Sequence, residues 1–249
     1  MKRTILSLSL VLLLALSACT TANSMASSTP SGTPSAAPTP VWNTQTFSKQ
    51  YTAPDGTVVM TVEFKMPAAE DGNSDPAWTQ INAYYEAEGN AYLENAQETA
   101  DQAIDEYTVA SASGYSFSPY SLESSYSVSY QDEHVVSFLR SYYSYIGGAH
   151  PSTFQFSEVF DLKSGQRLAF ADLFSDTDAA QSKVLEAIHA QNTDSVYDET
   201  ALDEQFNPDY FYLTDSGYVF YYQSETIAPH AAGIPEFTIP YADLQDLQK

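Results

Sequence analysis

The sequence predicts an α+β fold, with mostly antiparallel sheets and packed helices arranged as two consecutive α/β subdomains, and three observations carry that prediction. Runs of alternating apolar and polar residues outnumber helical patterns, and tight turns containing Gly and Asp join those runs as hairpins. One long stretch repeats its apolar residues every three or four positions. The 249-residue chain can bury a substantial core, because 43% of it is hydrophobic and it holds 19 Tyr and 13 Phe.

At the N-terminus, Lys2 and Arg3 precede an apolar run from Ile5 to Leu16 that is too short to span a bilayer, followed by Leu16-Ser17-Ala18-Cys19. This pattern resembles a bacterial lipoprotein signal peptide over residues 1–18. Cys19 is then the lipidated first residue of the mature chain, and a plain secretory signal with a chance cysteine is the alternative. Cys19 is also the only cysteine, so no thiol remains for a disulfide, a nucleophile or a thiolate metal site. Residues 19–41 read as a Ser/Thr/Pro-rich tether reaching at most ~65 Å at ~3.1 Å per residue. Membrane contact is expected through the lipid anchor only, with the folded part extracytoplasmic.

Residues 42–140 read as an N-terminal α+β subdomain. Phe47 to Tyr51 and Thr57 to Met66 flank a Pro54-Asp55-Gly56 turn as a hairpin. Ser74 or Asp75 caps a helix with Pro76 in its first turn, and Trp78, Ile81, Tyr85, Gly89, Tyr92, Ala96, Ala100, Ala103 and Tyr107 form its buried stripe. Gly89 and the alanines let this helix lie close against a sheet. Strands follow at Ser118–Tyr130 and at His134–Ile146, which runs into the second subdomain.

Residues 141–249 read as the C-terminal subdomain. Thr153 to Leu162, a Lys163-Ser164-Gly165 turn and Gln166 to Phe170 continue the meander, and a helix runs from about Asp176 to Gln191 with Ala180, Val184, Leu185, Ala187 and Ile188 inward. Tyr210 to Thr214 and Tyr218 to Tyr222 form a hairpin around Asp215-Ser216-Gly217, and Phe237 to Ile239 is a last strand.

Nine Lys and Arg against 32 Asp and Glu give a net charge of −23. Such a surface repels phosphate backbones and anionic headgroups, so nucleic acid is not an expected partner. Met66 to Leu139 and Val184 to Gln248 contain no Lys or Arg. The self-repulsion is relieved by a cationic partner or by counter-ions, and solubility alone is the plainer reading. No G-x-S-x-G, P-loop, G-x-G-x-x-G or H-E-x-x-H occurs, and no cofactor is expected. Asp71, Asn73 and Asp75 match the first ligands of a calcium loop, but Pro76 and Asn82 stand where its glycine and glutamate belong, so a capping loop is the reading. His150 and His230 both sit in Gly/Pro-rich segments, with Glu225 and Glu236 near the second. Two His and a carboxylate would suit zinc. With no sequence-close pair, the favoured reading is two imidazoles bonded to loop backbone, and no metal is expected.

The C-terminal half carries Gly147-Gly148-Ala149-His150-Pro151, Phe160-Asp161-Leu162-Lys163-Ser164-Gly165, Asp172-Leu173-Phe174, Phe211 to Gly217, Val219 to Tyr222 and Ile227 to Phe237 in one order. These blocks resemble the extracellular domain family shared by the anti-sigma factor RsiV and the peptidoglycan deacetylase PdaC, over roughly residues 141–245, with residues 43–140 resembling the domain that usually precedes it. In RsiV the module binds lysozyme, a basic protein, and in PdaC it accompanies a separate catalytic domain. Neither the anti-sigma segment nor the deacetylase domain is found in this sequence, and His230 stands where the family commonly has an aromatic residue.

The resemblance and the charge together imply a lipid-anchored, non-enzymatic surface module that captures a cationic protein such as lysozyme, or peptidoglycan. Its expected contacts are His150 and Pro151, the acidic residues Asp198, Glu199, Asp203 and Glu204, and His230. An envelope hydrolase acting on wall polysaccharide through His150 and His230, with or without a metal, is the alternative.

Overall fold

The computed structural model describes residues 39–70, 75–193 and 196–249. The signal segment, Cys19, the tether up to residue 38, and Asp71, Asn73 and Ser74 lie outside the described residues. The predicted α+β class holds. Strands β1 (Trp42–Thr52) and β2 (Val58–Ala69) form the first hairpin, whose turn is closed by Asp55 accepting from the Thr57 N–H at 2.9 Å. Met60, Val62, Phe64 and Met66 alternate inward along β2 while Glu63 and Lys65 face water.

Helix α1 (Pro76–Ser113) is longer than the stripe alone predicts and carries no basic residue. The Asp75 carboxylate accepts from the Ala77 N–H at its start, and Gly114, at φ 73°, ends it in the left-handed conformation. Ile81, Tyr85, Gly89, Ala96, Ala100 and Ala103 are buried as expected, while Ala77 is buried and Trp78 only half so. A Cβ at Gly89 would sit inside the Phe47 ring, so glycine is what lets α1 rest on β1. The helix carries the chain back so that β3 (Tyr120–Gln131) lies parallel to β2, the one parallel pair among the described strands.

β4 (Val135–Tyr145), β5 (Ser152–Asp161) and β6 (Arg167–Leu168) complete a six-stranded sheet in sequence order. The expected strand over Gln166–Phe170 shrinks to two residues because Phe170 opens a short helix, α2 (Phe170–Leu173), capped by Asp209 on its first N–H at 2.8 Å. Then come α3 (Thr177–Gln191), α4 (Glu199–Glu204), and a three-stranded sheet of β7 (Phe211–Thr214), β8 (Gly217–Tyr221) and β9 (Glu236–Pro240), followed by α5 (Tyr241–Leu244). In α3, Ala180, Val184 and Ile188 are buried, and Leu185 and Ala187 half-buried.

The boundary expected at 140/141 falls inside β4, and residues 37–249 form one compact unit. The reason is that β4 and β5 serve two cores at once. Val136, Phe138 and Phe160 point to α1 and join Phe64, Ile81 and Tyr85, whereas Val135 and Val159 point the other way and join Phe170, Val184, Phe220 and Ile239. A sheet with both faces covered leaves no place for a linker.

Candidate binding site

The β4–β5 loop and the segment after β8 meet. Gly147 and Gly148, at φ 87° and 90°, turn the loop sharply and present His150, while a single 3-10 turn at His230–Ala232 presents His230. The two imidazole rings lie 4.5 Å apart, tilted by 32°. His230 Nδ1 is 2.8 Å from a Glu225 carboxylate oxygen, and Glu225 is the one described non-glycine residue at positive φ, 67°. His150 Nδ1 lies 3.1 Å from the carbonyl oxygen of Pro151. Both imidazoles face water, His230 with half its side chain exposed. Two residues eighty positions apart therefore share one exposed knuckle, beside a carboxylate. Among the described residues no group of three His, Cys, Asp or Glu side chains is arranged to hold a metal ion.

The acidic segment is a separate feature. Asp198 caps α4 through the Ala201 N–H, and Asp203 pairs with His189 Nε2 of α3 at 2.8 Å, so both carboxylates have internal partners. Glu199 and Glu204 are exposed. Among the described residues no bond or ring contact joins α4 to the His150–His230 pair; Tyr222, whose hydroxyl donates to the Leu202 carbonyl at 2.8 Å, sits at the end of β8 against α4.

The feature that sequence reasoning missed lies on the other side of β5. Arg140 and Glu158, neighbours across β4 and β5, are each 3% exposed and form a two-nitrogen ion pair with a shortest contact of 2.6 Å. The Tyr85 hydroxyl donates to Glu158 at 3.2 Å, Glu88 of α1 reaches Arg140 at 3.3 Å, and the rings of Tyr85, Tyr92 and Phe156 surround the guanidinium. This cluster floors a recess of about 410 Å³ bounded by Tyr84, Glu88 and Tyr92 of α1, by Arg167, and by Asp209, Tyr210 and Tyr221. Burial and the charges of Glu158 and Glu88 push the Tyr84 hydroxyl up to about 12, and burial raises Tyr92 and Tyr221 as well, so these hydroxyls stay neutral donors. The only sequence signal was Arg140 itself, which ends a stretch of more than seventy residues without another Lys or Arg.

Residues 55–153 match the family described as deacetylase PdaC, and residues 171–242 match a family of proteins of unknown function, DUF3298. Among solved structures, a DUF3298 family member from Bacteroides fragilis NCTC 9343 superposes with a TM-score of 0.63 at 19% identity, covering 84% of this chain and 94% of that one. A DUF3298 family protein from Pseudomonas aeruginosa PAO1 gives 0.57 at 20% identity, covering 84% and 95%. These likenesses establish a shared fold. No curated protein matches the chain.

Proposed function

This chain pairs a PdaC domain with a DUF3298 domain, and on that premise we propose that it is a non-catalytic, extracytoplasmic binding module, lipid-anchored through Cys19, that captures a cationic protein of the lysozyme kind. The observation that carries this reading is the exposed knuckle where His150 and His230 touch, 4.5 Å apart, on a chain of net charge −23. Gly147, Gly148 and Gly233, at positive φ, make the turns that bring the two imidazoles to one surface. The surrounding carboxylate surplus steers a basic protein toward it and makes capture salt-dependent.

The test is binding of a basic lysozyme to the membrane-extracted protein at low and high ionic strength. Capture at low salt that weakens as salt rises, and that is lost in a His150→Ala/His230→Ala variant, supports the reading. Absence of binding at both ionic strengths defeats it. Labelled fatty acid should enter the parent protein and not Cys19→Ser.

The pairing of two imidazoles beside Glu225 also favours the competing reading, a wall hydrolase. That reading requires turnover of wall polysaccharide that disappears in the same double variant with no fall in melting temperature.

A further inference from the structure

The recess over the Arg140–Glu158 pair adjoins a second hollow, also about 410 Å³, whose lining includes Tyr92, Asn95, Leu122, Tyr142, Phe154 and Phe156. Tyr92 and Phe156 line both, so the two lie side by side as a trough between α1 and the outer strand β5. We propose that this trough is a binding site for a short, neutral oligosaccharide, separate from the His150–His230 knuckle.

Three observations select that ligand class. The walls include aromatic rings, among them Phe154 at 44% exposure and the half-buried Tyr210, stacked 5.3 Å from the buried Tyr221 at 5°. Such rings suit the apolar faces of pyranose units, which alternate with hydroxyl-bearing edges. The polar groups come in both signs and are incompletely used. Among the described residues Arg167 forms no ion pair and only a 3.4 Å contact to the Ser157 carbonyl, Glu88 and Asp209 each keep a carboxylate oxygen without a partner, and the hydroxyls of Tyr84, Tyr142 and Tyr210 make no hydrogen bond. A hydroxyl-rich neutral ligand can donate to the carboxylates and accept from the guanidinium and phenols, whereas a ligand of one charge would meet a like charge at one end of the trough.

The third observation weighs against the competing occupant, an extended peptide adding as a strand to β5. The outward backbone of β5 is partly occupied. The Gln223 amide accepts from the Gln155 N–H at 3.0 Å and donates to the Gln155 carbonyl at 2.6 Å, Arg167 covers the Ser157 carbonyl, and β6 takes Val159. A strand-adding peptide would have to displace these contacts first.

The experiment is calorimetric titration of the full mature chain, without lysozyme present, with an N-acetylglucosamine tetramer, its fully deacetylated cationic counterpart, an oligogalacturonate and an arginine-rich aromatic peptide. The expected result is binding of the neutral tetramer in the ~0.1–1 mM range, nearly independent of salt. Arg167→Gln should weaken it by about tenfold while melting temperature holds, Tyr210→Ala by about tenfold with a fall in melting temperature from its lost stack on Tyr221, and Phe154→Ala by a few fold. His150→Ala/His230→Ala should leave it unchanged. Failure to bind the neutral tetramer overturns the proposal, as does a preference for the cationic sugar, the acidic sugar or the peptide, or sensitivity to the histidine variant in place of the trough variants. Loss of lysozyme capture with retained tetramer binding would sink the knuckle reading and leave this one standing.

Discussion

On the face of β4 and β5 turned toward α1, Arg140 and Glu158 bury full charges; on the opposite face of the same strands, Ser137 and Ser157 bury only hydroxyls. The Ser157 hydroxyl donates to the Phe211 carbonyl at 2.6 Å and the Ser137 hydroxyl accepts from the Leu213 N–H at 3.0 Å, so the serines seat β7 against the sheet by pairing its backbone. The serine face packs against β7, although Ser157 also lines the recess and a smaller hollow of about 240 Å³ beside Phe211 and Asp209. The charged face opens into a recess, and its ion pair keeps Tyr85, Glu88 and Tyr92 in place around that opening. The contrast teaches that where a sheet buries charge beside a hollow, the charge orients the lining, whereas small hydroxyls dock a neighbouring strand through its backbone.

The comparison breaks most severely at the ion pair. Arg140→Met strands the Glu158 carboxylate in the core and should cost about 3–5 kcal/mol, read as a lowered midpoint in urea; adding Glu158→Met should restore much of the loss. A double variant no more stable than the single would show that the pair is not the unit that matters.

The serine face should prove cheaper. Ser137→Ala leaves the buried Leu213 N–H unpaired and should cost about 1–3 kcal/mol, with the recess and any ligand bound there untouched.

At the β3–β4 turn, where both faces begin, burial pushes the Asp132 carboxyl up, but the N–H groups of His134 and Val135 and the Tyr130 hydroxyl outweigh it and hold it below its usual value. A depressed folded value contributes stability above the unfolded pKa of about 3.9 and loses it as pH falls through the folded value. Asp132→Ala should therefore melt earlier than the parent at neutral pH, by about 1 kcal/mol, with the gap closing below about pH 4. A gap that widens in acid would refute this assignment.

Smallest is the effect of salt. The solvent side of α1 carries Glu94, Glu98, Asp101 and Asp105 with no basic residue on the helix, so raising the ionic strength from about 0.05 to 0.5 M should lift the melting temperature by a few degrees. A fall on adding salt would mean that exposed pairs such as Lys183–Asp246 outweigh the repulsion.

Much of this architecture was legible in the sequence because period and turn chemistry are local. Most of the α1 stripe, the Asp75 cap, the hairpins at Pro54-Asp55-Gly56 and Asp215-Ser216-Gly217 and, in α3, Ala180, Val184 and Ile188 are where the pattern puts them. What the pattern could not carry was contact between distant segments. The parallel join of β2 to β3 depends on where a 38-residue helix delivers the chain. The helices α2, α4 and α5 are too short to show a period. The meander through residue 140 reads as a boundary only until both of its faces are seen to be covered. Likewise His150 and His230 could be marked as unusual but not as touching, and the trough gathers residues from 84 to 221 that no spacing relates.

The amide of Gln223 at the rim of β5 bears on the behaviour of the protein at high density. Copies at high concentration meet far more often than in dilute solution, and a bare ribbon border lets them zip together. The glutamine that stands in for a missing neighbour blunts this stretch of the border, and replacing it with alanine should make assembly through it easier.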